Sequence, residues 1–567
     1  MRLLRTELTI AVVGLLVIGA LLYFHSLDLD STFVPAAGGT YTEGIIGTPE
    51  TLNPLLASHN PADRDLGCLI HAGLLRFDSS GLPVPDLAES WAVTADGLSY
   101  TFVLRSGLKW QDGVALSLDD VIFTIDIMQD PGFPGPSDLA ALWQLVTLAK
   151  ISETTLKLTL PEPYAPFLDS MTFSVLPAHV LSGFASNDIW SHLDNLTPIG
   201  AGPFALENLR VDTHGNIAEA TLVANPYYHG KQPMLSQVKL LFYPDEPSAL
   251  AALQHGEVMG VGWLSPAAIQ ELLREPDINV YSQQIPQYRM IILNQRNEAL
   301  TFFQEKKVRQ ALLAGLNRRR ITDEILQGQA IISNGPIIQG AWAYNSNLSA
   351  VEYDPQRAIK LLEAANWLIQ DTMLPGSVIP VRQKNGKALN FTLLVPDDRI
   401  SVQIGNLAVS NWEQLGIQVT LDVLPSATLQ SENLFNRRFD AMLVNLSLLG
   451  APDPDPYPFW HQTEIDTGQN YSGYDNRRIS ELLEQARVTK SLAERSNLYA
   501  SFQAHFVDQT PALLLYHPVY SYAVHRQLHG VQIGPLLDPS DRFQTIADWY
   551  LVTKRVVAPY SQSLGVP

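Results

Sequence analysis

The residues best suited to bind a ligand or to catalyse a reaction lie in one stretch of the chain, Phe439–Asp475. Asp453 and Asp455 stand two apart within Pro452–Pro456, where alternating prolines exclude both a helix and a β-ladder. Carboxylates on one side of a strand can serve acid–base catalysis. The prolines between them instead favour a structural or ligand-contacting role.

The same stretch combines an apolar run with a loop rich in aromatic side chains. The run Ala441–Leu449 is interrupted only by Asn445 and Ser447, which would face the same side of a strand because they are two apart. Flat rings can line a ligand cleft or simply pack against the strand, and this stretch alone leaves both alternatives open. The rings concerned are Trp460, Tyr471, Tyr474 and the later Tyr516.

Common catalytic and metal-binding patterns are missing from the sequence. No HExxH, GxSxG, GxxxxGK[ST] or GxGxxG motif occurs, and no nucleophile–base pair can be assembled. His525 and His529 could share a helical face, but no third metal ligand is evident. The single cysteine, Cys68, excludes an intramolecular disulfide and a cysteine-based metal site. We therefore predict no enzyme activity, no metal and no cofactor.

Composition indicates a large acidic globular protein. The 567 residues carry 57 acidic and 37 basic side chains, a formal net charge of −20. This length favours two or more domains, and the charge argues against nucleic acid as a partner, because phosphates require cations.

The N-terminus carries an apolar run, Leu8–Phe24, preceded by Arg2 and Arg5. As a helix the run would extend about 25 Å, slightly less than a bilayer core. A cleavable signal peptide is the alternative. We predict an uncleaved membrane anchor over residues 1–30, a linker over 31–39, and the rest of the chain outside the cell.

Several co-linear segments resemble the family 5 extracellular solute-binding proteins, the oligopeptide-, dipeptide- and nickel-binding receptors of ABC importers. The longest is residues 73–125, GLLRFDSSGLPVPDLAESWAVTADGLSYTFVLRSGLKWQDGVALSLDDVIFTI. Shorter ones follow in the family's order: Pro198–Phe204, Ala224–Tyr228, Val308–Leu312 and Tyr353–Pro355. The resemblance covers Thr40–Leu551.

The resemblance implies an α/β fold of the bilobal periplasmic-binding-protein type (class II, cluster C) with an inserted extra subdomain, to which the sequence adds an N-terminal transmembrane helix. The implied division is lobe I over 40–72, 196–290 and 521–560, the inserted subdomain over 73–195, and lobe II over 291–520. Crossings between the lobes are expected near Arg289–Asn294 and Leu513–Tyr522.

Local patterns agree with an α/β lobe. Leu389–Val395 and Ile417–Leu424 are predicted strands that flank a predicted helix, Ile400–Leu415. Asp354 before Pro355 is a typical helix start.

By resemblance the protein is a receptor that captures oligopeptides between two lobes and delivers them to a membrane permease, acting as a monomer. The alternatives are a receptor for an oligosaccharide or other organic solute, and a surface sensor without transport. The predicted ligand-binding residues are Glu43, Asn294, Asn445, Ser447, Asp453, Asp455, Trp460, Tyr471 and Tyr516.

One position departs from the family pattern. Peptide-binding members generally have an aspartate just before the Pro/Asp turn, where it pairs with the free amino group of the ligand. Gly450 stands there in this chain. A buried ammonium without a partner is costly, so either Asp453 or Asp455 replaces that aspartate, or the ligand has no such group.

Overall fold

The computed structural model describes residues 11–21, 23, 31–57, 60–78, 80–184, 189, 197–370 and 379–557. Within these ranges, no helix is both long enough and apolar enough to cross a membrane. The predicted span Leu8–Phe24 lies partly outside them. Residues 31–39 were predicted to be a linker, but the strand Ser31–Ala36 pairs antiparallel with Val552–Val557. Thr32, Phe33 and Val34 are β-branched or aromatic residues, which favour a strand.

A single mixed sheet runs through both halves of the molecule. Within the described ranges it contains twelve strands. Ten follow one another in space: Gln418–Leu424, Asn390–Pro396, Ala441–Ser447, Gln287–Leu293, Ala512–His525, Gly260–Gly262, Thr40–Ile46, Gln237–Tyr243, Ile217–Ala224 and Phe204–Val211. Ile278–Gln284 and Ala330–Ile332 also pair with Ala512–His525.

We call Ala512–His525 the long strand, because it belongs to both halves of the sheet. Its first part pairs with Gln287–Leu293 and its second part with Ile278–Gln284. We call the half that contains Gln287–Leu293 lobe II and the half that contains Ile278–Gln284 lobe I. The expected extended crossing at Leu513–Tyr522 lies inside the long strand.

The other crossing lies a few residues before its expected position. Arg289–Asn294 was expected to cross, but Gln287–Leu293 is already a strand of lobe II. The chain passes between the lobes at Ile285 and Pro286, since proline has no N–H with which to continue a ladder. The Pro286 carbonyl accepts a hydrogen bond of 2.8 Å from the N–H of Leu448.

Helices cover the sheet and close the cores. Lobe I contains Pro61–Ile70, Glu246–Gln254 and Pro266–Leu272. Lobe II contains Lys306–Ala314, Pro355–Ala364, Arg399–Glu413, Arg477–Val488 and Leu492–Gln509, with π-helical turns at Ile321–Ile325 and Leu429–Leu434. Asp354 caps its helix as predicted, accepting a hydrogen bond of 2.8 Å from the N–H of Arg357.

The region predicted as an inserted subdomain forms its own sheet and core. Its antiparallel strands are Ala88–Val93, Ser99–Leu104, Thr155–Thr159 and Thr147–Lys150, in that order. The helices Leu118–Gln129 and Ser137–Leu145 accompany them. Trp110, Trp143 and Phe102 are fully buried in the core between these elements.

His525 and His529 do not share a helical face. His525 is the last residue of the long strand, so spacing four does not place the two imidazoles on a helical face. In the described part of the chain, no group of three or more His, Cys, Asp or Glu side chains could hold a metal ion.

Candidate functional site

The strand Ala441–Ser447 fixes which of its main-chain groups are free to bind. It runs antiparallel to Gln287–Leu293, and the bond from Leu448 to Pro286 continues that ladder. An antiparallel ladder alternates, so residues of even number bond to this neighbour. Residues of odd number direct their N–H and C=O groups toward the opposite edge.

That opposite edge is only partly covered. Asn390–Pro396 runs parallel to it, and within the described ranges the shared register ends opposite Met442. The main-chain groups of Asn445 and Ser447 lie beyond that point. An edge of this kind can accept a further strand from a ligand.

A pocket of about 240 Å³ adjoins this open edge. Side chains of strand residues from one face of the sheet form its floor, and a helical turn and the aromatic loop form its walls. Its lining is Met290, Ile292, Gln430, Leu434, Phe435, Val444, Asn445, Leu446, Ser447, Phe459, Trp460, Gln469, Tyr471 and Ser472. Four of the predicted ligand-binding residues border this pocket. Trp460 and Tyr471 belong to its walls, whereas Asn445 and Ser447 border it along the strand and direct their side chains to the other face.

The aromatic walls of the pocket are held by contacts of their own. Trp460 is buried and packs edge-on against Phe506, with ring centroids 4.7 Å apart. The Tyr471 ring lies 5.3 Å from the guanidinium of Arg437 and 6.3 Å from the Phe435 ring. The pocket is thus a preformed, mainly apolar space, smaller than the 300–1,000 Å³ typical of pockets that enclose a whole ligand. It suits one apolar side chain.

Asp453 is committed to a buried ion pair. Its carboxylate binds the guanidinium of Arg495 and accepts a hydrogen bond of 3.0 Å from the Tyr499 hydroxyl. Its N–H donates to the carboxylate of Asp169 in the inserted subdomain, at 2.9 Å. Burial, together with the neighbouring Asp453 carboxylate, raises the pKa of Asp169 to about 8.

Asp455 is committed in the same way. Two nitrogens of Arg487 bind its carboxylate, Nη2 at 2.7 Å and Nε at 2.9 Å. The Tyr164 hydroxyl donates a further bond of 3.4 Å. The geometry thus gives both carboxylates of the turn cationic partners within the protein, although they were expected to meet a ligand.

Glu43 and Asn294 lie away from the pocket. Glu43 has no exposed surface and pairs with Arg542 at 2.6 Å inside lobe I. Tyr41 and Tyr522 donate hydroxyl hydrogen bonds to it, of 2.7 and 3.1 Å. Asn294 donates its side-chain amide to the carbonyls of Arg437 and Phe439. The structure gives both side chains internal partners.

Tyr516 belongs to the long strand and lies opposite Arg289. It is 7% exposed, and burial raises its pKa. Arg289 in turn stands opposite Asn445, so these side chains share the face of the sheet that is turned away from the pocket floor.

Gly450 has room for the side chain that it lacks. A Cβ added there would meet no atom within 4 Å, and its N–H donates to the Leu537 carbonyl at 2.9 Å. Its φ of +75° is one that aspartate tolerates better than most residues. A lack of space therefore does not explain why glycine stands here in place of the family's aspartate.

Sequence reasoning missed the residues contributed by distant segments. Met290 and Ile292 come from a strand more than 160 positions before the aromatic loop, and Leu434 and Phe435 come from the turn that precedes Ala441–Ser447. All four look like ordinary core residues. The one available signal was the alternation of Gln287–Leu293, which sets Met290 and Ile292 on one face.

Two α/β lobes that share a sheet, with an open strand edge and a preformed pocket in one of them, define a class of proteins that bind a small ligand and close around it. A model of the family "Bacterial extracellular solute-binding proteins, family 5 Middle" matches residues 83–469. The chain belongs to this family and is therefore an extracellular solute-binding protein.

Named relatives extend over nearly the whole chain. The oligopeptide-binding protein AppA of Bacillus subtilis is 27% identical over 529 residues, which cover 91% of this chain and 92% of the relative. The dipeptide-binding protein of Escherichia coli is 26% identical, covering 86% of this chain and 91% of the relative. The structure of AppA in complex with a nonapeptide matches with a TM-score of 0.70 and 26% identity, covering 92% of this chain and all of that one.

Proposed function

We propose that this protein is the peptide-capturing receptor of an ABC importer. The open edge at Asn445 and Ser447, beside an apolar pocket, is the observation that carries the proposal. A peptide that adds as a strand satisfies its main chain at that edge, whatever its sequence. One of its side chains enters the pocket, and the names of the relatives AppA and the dipeptide-binding protein support this choice of ligand.

After binding, closure of the two lobes around the peptide would present one composite surface to a membrane permease. The apolar run Leu8–Phe24 remains the predicted anchor. By raising the local concentration of receptor beside the permease, such an anchor would favour transfer. A single copy of the receptor is sufficient to close around one peptide, so this scheme requires only a monomer.

Native mass spectrometry of the protein purified without refolding tests the proposal. We expect a bound mass that is released on denaturation and that fragments as a peptide ladder. If no ligand is retained, a thermal-shift screen of peptide pools against oligosaccharides gives the same discrimination. A hexose-type mass, or stabilisation by sugars alone, would contradict the peptide assignment.

A further inference from the structure

Arg289 lies one strand in from the open edge, opposite Asn445, and has no ion-pair partner among the described residues. Its side chain projects from the strand Gln287–Leu293 on the face that carries Asn445 and Ser447. Within the described ranges, the guanidinium makes a hydrogen bond to the Ser401 hydroxyl but forms no ion pair. It is also only partly exposed, so solvent does not fully compensate for the missing partner.

The local hydrogen bonds leave part of this guanidinium unused. Its Nη2 donates to the hydroxyl of Ser401, whereas its Nε is buried and has no hydrogen-bond partner. Burial lowers the pKa of Arg289 from its usual value, and the Asp398 carboxylate opposes that shift. Other buried arginines are used by the protein itself: Arg495 and Arg542 pair with carboxylates, and the buried arginines without an ion pair in the described part of the chain donate to main-chain carbonyls. The latter are Arg309, Arg318 and Arg382.

Asp398, the carboxylate whose charge acts on Arg289, is already used by the helix that follows it. Asp398 caps Arg399–Glu413 and accepts hydrogen bonds from the N–H of Ser401, at 2.9 Å, and from its hydroxyl. Ser401 thus connects Arg289 to Asp398 without an ion pair. Arg289 is held in place but is not neutralised.

A ligand strand at the open edge would bring its own groups to this face. Side chains of a strand alternate between faces, so a peptide with one residue in the apolar pocket presents its neighbouring residue, or its end, to the opposite face. Arg289 stands there with donors in a fork that matches a carboxylate.

We infer that Arg289 binds a carboxylate of the ligand and makes the receptor selective for peptides that carry one. This inference rests on the proposed function and adds the chemistry of the ligand to it. Neither Asp453 nor Asp455 is free to bind a ligand ammonium, and Gly450 offers no carboxylate. The site is therefore built around the anionic group of the peptide and not around its amino terminus.

The test is a competition between peptide pools, read by native mass spectrometry. Three pentapeptide pools are compared: free acids without Asp or Glu, C-terminal amides without Asp or Glu, and C-terminal amides that contain Asp or Glu. We expect at least one carboxylate-bearing pool to bind roughly 10- to 100-fold more tightly than the uncharged amides, the usual worth of a charge-assisted hydrogen bond. Preferential binding of the first pool would identify the C-terminal carboxylate as the group that Arg289 binds. Preferential binding of the third pool would identify a side-chain carboxylate.

Variants assign the preference to this side chain. Arg289→Gln should remove the preference, so that all pools bind alike, and Arg289→Lys should keep most of it. Arg357→Gln, in an exposed helical position, should behave as the unchanged protein does.

Equal binding of all pools by the unchanged protein would overturn the role of Arg289 and leave the peptide receptor standing. No binding of any pool would overturn both. Because the comparison of pools in the unchanged protein needs no mutation, a variant that fails to fold does not decide the result.

Discussion

At the scale of residues, the turn after Ala441–Ser447 shows how one carboxylate can look available in a sequence and be committed in a fold. Asp453 is 6% exposed, and its partner Arg495 stands 42 positions later in the chain. A buried ion pair contributes little compared with a well-packed apolar pair, but breaking one half of it is costly. Asp453 therefore supports the turn that leads away from the pocket.

Replacement of Asp453 by Asn should destabilise the protein. The Arg495 guanidinium would remain buried without its carboxylate, and we expect a loss of about 3 kcal/mol or more in the free energy of unfolding. Urea unfolding measures this loss. Asp466→Asn, at a carboxylate whose side chain is 82% exposed, is the control and should change little. Unchanged stability with weakened ligand binding would instead restore Asp453 as a ligand contact.

At the scale of elements, alternation in one strand was enough to predict which of its residues share a face. Period two correctly set Asn445 and Ser447 on one face, because strand geometry is local. The ion pairs of Asp453 and Asp455 were not predictable, since their arginines reach the turn only through tertiary packing. The absence of an ion-pair partner for Arg289 among the described residues was equally unpredictable, because a sequence does not show which charges meet in the fold.

The open edge can be tested with two substitutions at one position. Ser447→Pro removes the N–H that points to the ligand side, and it should leave the ladder to Gln287–Leu293 intact, because Leu446 and Leu448 make those bonds. We expect peptide affinity to fall about 5- to 10-fold, the worth of one hydrogen bond, as measured by calorimetry. Ser447→Ala keeps the N–H and should bind nearly as well as serine. Similar losses in both variants would show that the side chain matters and the edge does not.

At the scale of the whole molecule, lobe II touches the inserted subdomain through a small set of polar contacts. Lys490 donates to the carbonyls of Thr94, at 3.1 Å, and Ala95. Asp453 donates its N–H to Asp169. Contacts between lobe II and the inserted subdomain form only when the two lie together. They therefore stabilise the closed arrangement relative to a more open one.

Lys490→Ala should favour a more open arrangement of the lobes. Without its bonds to the inserted subdomain, the ligand-free protein should show a larger radius of gyration in small-angle X-ray scattering. Peptide binding should also weaken by about 2- to 5-fold, because closure costs more. Lys360→Ala, at an exposed helical position, is the matched control. An unchanged radius and affinity would mean that these contacts do not bias closure.

Buried histidines make stability depend on pH in one direction. Burial lowers the pKa of His71 and of His517 to about 4, whereas an unfolded histidine titrates near 6.5. Between these values the unfolded chain binds protons that the folded chain does not, so the free energy of unfolding falls as pH falls from about 6.5 to 4. The raised pKa values of Asp63 and Asp541, both about 6, and of Asp169, about 8, act in the opposite direction. The stability that these carboxyl groups contribute is lost as pH rises through those values.

His517→Asn isolates one histidine from these opposing carboxylates. The Nδ1 of His517 lies 3.0 Å from the Gln287 carbonyl, and an asparagine amide can make that bond. In urea unfolding at pH 7.5, 6 and 5, the variant should lose less stability on acidification than the unchanged protein. An equal loss would contradict a neutral, buried imidazole at this position.

The pairing of Ser31–Ala36 with Val552–Val557 has a mechanical consequence. Ser31 stands opposite Val557, so the first residue of one strand lies beside the last residue of the other. A force applied between Ser31 and Val557 would break the hydrogen bonds of this ribbon one after another before it acted on the shared sheet. The same adjacency would suit a circular permutation that joins Ser31 to Val557 and opens the chain elsewhere.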